Sequence, residues 1–356
     1  MRRLYLDNIR WATVLLVMVY HVFYVFNAVG VMGGVGNFCE VQYQDGFLYF
    51  VYPWFMVLLF TIAGMSAKYA LEKMSVKDFL QKRTWKLLVP STLGLFAYQW
   101  IVGYYNIKIG GGLEYIPSFL IYPISAVSGT GPLWFAQVLW LFSLFLLLIR
   151  RIDKNEYLWK AGGKCNAYML ILFFLLIWCG AQILNMPVIT TYRFGIYLAA
   201  FLLGYFVLSH DNAQEILEKI CLPMLLTSVV MGIVYTIFYF GENYADAIIL
   251  KSLFTNVYAW FMTLAVLGCG KKWFNRQNAF SVYMTKRSYG FYVLHYTFIS
   301  IPCSLLKNHT DLPIWIVYAA ALLIVFTGTP VLYEVISRIP IARCFILGIR
   351  IKHDKR

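Results

Sequence analysis

Ten stretches of this sequence are apolar over a length that crosses about 30 Å of hydrocarbon. They lie at 9–29, 47–66, 86–105, 131–149, 166–184, 190–208, 220–240, 250–269, 288–306 and 314–336. Inside hydrocarbon no water bonds a free backbone N–H or C=O, so irregular backbone is tolerated only where protein covers it. The expected fold is an all-α polytopic integral membrane protein with ten transmembrane helices. Composition agrees: 61% of residues are hydrophobic and 13% charged, where soluble domains average about 45–50% and about 25%. A soluble globule and a disordered chain are both excluded, because this much apolar surface is not left in water. The fifth and sixth stretches are separated only by a short turn around Asn185-Met186-Pro187, which predicts a tight helical hairpin.

With 30 Lys and Arg against 16 Asp and Glu the net charge is +14, a balance that raises the question of nucleic acid. Distributed over ten spans, 26 basic residues fall on one side and only Lys108, Arg193, Lys251 and Lys307 on the other. The larger set runs from Arg2, Arg3 and Arg10 to Arg338, Arg343, Arg350, Lys352, Lys355 and Arg356. Basic residues collect in cytoplasmic loops, so both termini are expected in the cytoplasm and the chain in the cell membrane. The charge is then topogenic. The partner it indicates is the lipid bilayer, not nucleic acid.

The first stretch is full length, carries Arg10 and His21 and lacks a small-residue cleavage site, so it is expected to stay as a span. Residues 1–356 are read as a single transmembrane domain with no appended soluble domain. The connection 106–130 contains Gly110-Gly111-Gly112, Pro117 and Pro123, and its Tyr115, Phe119, Ile121 and Tyr122 suit a re-entrant segment. The seven cysteines are odd in number and have no zinc-type spacing, so neither a disulfide framework nor a metal is expected.

Ionisable residues within a span are costly and mark functional candidates. The first stretch has two, Arg10 and His21, eleven residues apart. At 100° per residue that spacing leaves them about 20° apart around the helix and about 16 Å apart along it. Both therefore share one face, with Asp7 three residues before Arg10 and close enough to orient it. Arg10 alone reads as an interfacial anchor and His21 alone as an interhelical hydrogen-bonding group. Together they describe a phosphate-binding cation at the cytoplasmic mouth and a proton acceptor deeper on the same wall.

At this point the sequence resembles the acyltransferase-3 family of integral membrane acyltransferases, whose hallmark is Arg, ten residues, then His in the first span. LDNIRWATVLLVMVYH carries that motif with its Leu-Asp-x-x-Arg start. FTIAGMSAKYALEKM is similar to the family's Phe-x-x-(Ser/Ala)-Gly segment, and KRTWKLLVP to the basic stretch before the third span. GPLWFAQVLW matches the Trp-Phe motif, YLAAFLLGY the Phe-x-x-Gly-Tyr element, and SYGFYVLHYTF the Ser-Tyr-x-x-Tyr-x-x-His segment. The ordered set covers nearly the whole chain. One departure is Arg83-Thr84-Trp85-Lys86, where the family commonly has Arg-x-x-Arg; lysine keeps the charge but loses the bidentate fork.

The resemblance implies transfer of an acyl group, often acetyl, from cytoplasmic acyl-CoA to a hydroxyl, commonly on a carbohydrate or other envelope acceptor. On that reading Arg10, Arg83 and Lys86 hold the donor's phosphates, and His21 is general base on the acceptor hydroxyl. No covalent intermediate is indicated, and no metal. His295 reads as a donor contact, a positioning group for His21, or packing. An oxyanion donor is required, for which Trp134, Ser288 and Tyr292 are the candidates. Tyr289, Tyr292 and Tyr296 otherwise read as packing groups. Arg193 reads as a contact for an anionic acceptor or for an outer-leaflet headgroup. Glu334 is placed to neutralise Arg338 one turn on. The alternative is a transporter or exporter of a glycan or small polar solute, which predicts midplane carboxylates and inverted repeats; neither is visible in the sequence.

Overall fold

The computed structural model describes residues 3–31, 34–187 and 191–349; Arg2, Arg350, Lys352, Lys355 and Arg356 lie outside them. The chain begins with α1 (Leu4–Tyr24) and α2 (Gly46–Leu71). A continuous helical segment then runs from Val76 to Ile109. It comprises α3 (Val76–Arg83), a π turn at Thr84–Leu88, α4 (Val89–Gly94), a second π turn at Leu95–Gln99, and α5 (Trp100–Ile109). Next come α6 (Ile121–Ser128), α7 (Leu133–Ile152), α8 (Tyr157–Gly162), α9 (Ala167–Leu172) and α10 (Phe174–Gln182). A two-stranded hairpin, β1 (Asn185–Pro187) and β2 (Thr191–Arg193), leads into α11 (Phe194–Leu203) and a π turn at Gly204–Leu208. The rest is α12 (Asp211–Tyr239), α13 (Ala247–Lys251), α14 (Leu253–Trp273), α15 (Ala279–Leu294), a 3-10 turn at His295–Phe298, α16 (Ser300–Asn308), α17 (Ile314–Arg338) and α18 (Pro340–Leu347).

Among the described residues, seven helical segments are long and apolar enough to cross a membrane. They match the first four, the seventh, the eighth and the tenth stretches of the sequence. The other three stretches are helical but interrupted. Residues 166–184 divide at Phe173, 190–208 open in a strand and close in a π turn, and 288–306 cross the 3-10 turn at His295.

Burial sets the order of packing. The apolar window of α2 is 78% buried, and those of α12 and α17 only 28% each. An all-round apolar helix belongs in the interior of a bundle, and α2 stands there between α1, α11 and α14. Leu226, Val230, Ile233 and Ile237 of α12 stay exposed, the apolar stripe expected of a surface that meets lipid.

The crossing of α2 and α11 is a backbone-to-backbone contact. A Cβ built at Gly64 would overlap the Phe201 carbonyl, and one at Gly204 the Thr61 carbonyl. These are the glycines of the Phe-x-x-Ala-Gly and Phe-x-x-Gly-Tyr motifs, so the two motifs are each other's packing partner. Small residues allow such approach where no hydrophobic drive separates helix from lipid.

Four sequence expectations are corrected or refined. The link between α10 and α11 is a β-hairpin in register Asn185↔Arg193 and Met186↔Tyr192, not a bare helical turn. Glu334 accepts from Arg287 Nε at 2.7 Å rather than neutralising Arg338; the partner comes from α15 because the two helices pack side by side. In 106–130, Tyr115 and Phe119 are exposed, while α6 doubles back on α5 through Gly103 against Ser125 and Gly129 against Gln99. All seven cysteines are free thiols.

Gly204→Leu will force α2 and α11 apart, a strain of about 1–3 kcal/mol or more for overpacking at a tight contact. Thermal unfolding of the detergent-solubilised protein should show a lower midpoint; an unchanged midpoint would refute the crossing.

Candidate active site

Arg10 and His21 stand on one face of α1, as their spacing requires. Near the N-terminal end of α1, Arg10 Nη2 donates to Ser66 Oγ at 2.7 Å and Nη1 to Asp7 Oδ1 at 3.2 Å. Ser66 follows Gly64 on α2, so the crossing that seats α11 also sets the Arg10 partner. Arg83 and Lys86 lie close enough to feel the charge of Arg10. Arg83 stacks over Phe79, 5.0 Å from the ring centroid, and the Lys86 ammonium lies 5.4 Å from the Tyr289 centroid. Among the described residues neither Arg83 nor Lys86 forms an ion pair with a carboxylate. Arg10, Arg83 and Lys86 thus gather at one place, with Asp7 beside Arg10, a setting that suits an anion with several charged oxygens.

At the other end, His21 borders a cavity of about 350 Å³. Among the described residues seven tyrosines line it, Tyr20, Tyr24, Tyr52 and Tyr292 among them, together with Trp134, Asn106 and Gln137, and no Asp, Glu, Lys or Arg does. Trp134 lies 5.3 Å from Tyr192 and 5.6 Å from Tyr197 between ring centroids. The β-hairpin contributes Met186 and Tyr192 to the wall.

His21 does not act alone. Its Nδ1 lies 2.9 Å from the Val17 carbonyl and 3.1 Å from His295 Nε2. His295 is fully buried, and its Nδ1 lies 2.7 Å from the Tyr292 carbonyl. A ring nitrogen facing a carbonyl must donate, so both imidazoles carry their proton on Nδ1. His295 Nε2 is then bare and accepts the second branch of the His21 Nδ1–H. Only Nε2 of His21 is left to meet the cavity, unprotonated and free to accept. The 3-10 turn at His295–Phe298 produces this contact by interrupting the helix at the residue that must reach across to α1.

The remaining candidates are distributed as follows. The Tyr292 hydroxyl donates to the Pro132 carbonyl at 2.6 Å, which ties the Ser-Tyr-x-x-Tyr-x-x-His segment to Gly131-Pro132-Leu133-Trp134. Ser288 is buried one turn before it. Trp134 lines the cavity; Arg193 and His295 do not. The Arg193 guanidinium is 1% exposed and donates to the Leu250 carbonyl and Asn256 Oδ1, both at 2.9 Å. His295 sits against His21 rather than with Arg83 and Lys86. Sequence reasoning missed Gln99, whose 0% exposure makes it a buried amide in a span; a glutamine there is the signal that a search for charges passes over.

A cluster of cations, a histidine beside an aromatic cavity and a bundle of apolar helices thus lie together in one fold. Residues 3–334 match the acyltransferase-3 family, described as an acyltransferase domain, and the chain belongs to that family of membrane acyltransferases. Comparison with curated proteins and with solved structures returned no match.

Spectra of ¹⁵N-histidine-labelled protein at neutral pH should show His21 and His295 as Nδ1–H tautomers with bare Nε2. An Nε2–H signal from His21 would refute the pairing.

Proposed function

We propose that the protein moves an acyl group, acetyl in the simplest case, from cytoplasmic acyl-CoA to a hydroxyl of a carbohydrate or other envelope acceptor. In this reading the chain crosses the cell membrane ten times, the three interrupted stretches included, with both termini in the cytoplasm. The observation that carries the proposal is the position of His21. Its free nitrogen borders an aromatic cavity, while the same face of the same helix ends at the Arg10, Arg83 and Lys86 cluster.

The donor's phosphates bind the three cations, as guanidinium and ammonium groups do in phosphate sites. The acceptor enters the cavity, where sugar faces meet tyrosine and tryptophan rings and hydroxyls meet Asn106 and Gln137. His21 Nε2 takes the proton of the acceptor hydroxyl as its oxygen bonds to the thioester carbonyl carbon. The positive charge that develops on the ring is spread through Nδ1–H to the Val17 carbonyl and His295 Nε2. The tetrahedral adduct collapses with breakage of the C–S bond, and the proton on Nε2 passes to the departing thiolate. Ester and free CoA thiol leave, and the histidine returns to its starting tautomer. Trp134, Ser288 and Tyr292 are the weaker assignments. Tyr292 already donates to Pro132, which leaves its oxygen as an acceptor. Arg193, held by Leu250 and Asn256, supports the shape of the cavity.

His21→Ala should lower turnover about 10²–10⁴-fold, the usual share of general base catalysis, with acetyl-CoA affinity within about twofold of wild type. Arg83→Ala should weaken acetyl-CoA binding about tenfold, as loss of a charge-assisted bond does. Calorimetry and thioester turnover on the purified protein read both. Full turnover in His21→Ala would refute the base, and no acyl-CoA binding by wild type would shift the reading to transport.

A further inference from the structure

Between the cation cluster and His21 runs a series of contacts that the mechanism above does not use. Lys86 lies over the Tyr289 ring, and Tyr98, close to Tyr289, donates to the Val293 carbonyl at 3.2 Å. Gln99 follows Tyr98 and ends the second π turn of the third segment. A Cβ built at Gly131 would stand 3.6 Å from Gln99 Nε2 and 3.7 Å from Tyr296 Cδ1. Gly131 and Tyr296 both line the cavity, and the Tyr296 ring is 5.2 Å from that of His21. The Gln99 amide therefore lies beside Gly131, among the described lining residues the one without a side chain, and the Tyr296 ring stands between Gly131 and His21.

Two of these groups are unsatisfied. The Tyr289 hydroxyl is buried without a hydrogen-bond partner, and so are both Nε2 and Oε1 of Gln99. Among the described residues Gln99 is the only side chain with two separate polar atoms, one a donor and one an acceptor, both buried and unpartnered. Native structures keep such groups rarely and for a reason. The reason here is positional, because the two residues stand on the route from phosphate-binding cations to histidine. Along this route the third segment meets α15 where the Tyr98 hydroxyl reaches the Val293 carbonyl. Two π turns, at Thr84–Leu88 and Leu95–Gln99, bracket that stretch, and such turns recur at functional sites.

We propose that Gln99 and Tyr289 form the subsite for the amide-bearing arm of the thioester donor. A secondary amide offers one N–H and one C=O, the complement of the free Oε1 and Nε2 of Gln99. The Tyr289 hydroxyl serves a second polar group nearer the phosphates. The inference rests on the acyl-CoA reading above and adds residues that recognise the donor's linker rather than its phosphates.

The test uses full-length detergent-solubilised protein with two probes: acetyl-CoA, and S-acetyl-N-acetylcysteamine, which keeps one amide and the thioester but has no phosphate. Gln99→Met should weaken acetyl-CoA binding about tenfold and slow hydrolysis of the short thioester by a similar factor. It should also raise the unfolding midpoint of the ligand-free protein by about 2 °C or more, because an unpaired buried amide is replaced by an apolar chain. Tyr289→Phe keeps the ring beneath Lys86 and should weaken acetyl-CoA binding without lowering the midpoint. Unchanged handling of both thioesters by Gln99→Met, or a lowered midpoint, overturns the subsite even where wild type binds acetyl-CoA. Wild type binding neither probe overturns the acyl-CoA reading, and the subsite with it.

Discussion

Removed from water, a polar side chain must find a partner or carry the full cost of its desolvation, and that requirement organises this protein. In a bundle whose helices meet few polar surroundings, each satisfied hydrogen bond fixes a helix against another. His21 reaches His295 across 274 positions of sequence, Arg10 reaches Ser66, and Tyr292 reaches the Pro132 carbonyl. These three contacts join α1 to the turn after α15, α1 to α2, and α15 to the start of α7. The site is built from the same bonds that hold the bundle in register.

The division of labour follows from the geometry of α1. Its two ends present different chemistry: a cluster of cations at one, aromatic rings at the other. The histidine stands between them with one nitrogen committed and one free. The commitment matters, because a neutral imidazole is a useful base only if its tautomer leaves the correct nitrogen bare. Here the Val17 carbonyl and His295 set that tautomer, and His295 is itself oriented by the Tyr292 carbonyl, so backbone acceptors orient the proposed base.

Much of this was legible in the sequence for a simple reason: within one helix, spacing converts directly to direction. The alignment of Arg10 with His21 and the proximity of Asp7 follow from 100° per residue. The apolar lengths show which segments bury their backbone, although three of the ten stretches are broken by turns that apolarity does not reveal. The family motifs mark residues whose contacts only the fold reveals. Gly64 and Gly204 prove to be one helix crossing, and Tyr292 and Pro132 one hydrogen bond. Glu334 illustrates the opposite case: the i+4 rule offered Arg338, but a closer cation on α15 claims it.

By itself, then, the sequence determined the helical class, the asymmetry of charge and the shared face of Arg10 and His21, because these depend on local composition and period. Tertiary structure alone decided that His295 partners His21, that Arg193 is held by Leu250 and Asn256 instead of lining the cavity, and that Gln99 stands unpaired beside Gly131. Those facts depend on which helices come together and on where π and 3-10 turns rotate a side chain. Such contacts join residues far apart in the chain, and no periodicity within one segment encodes them.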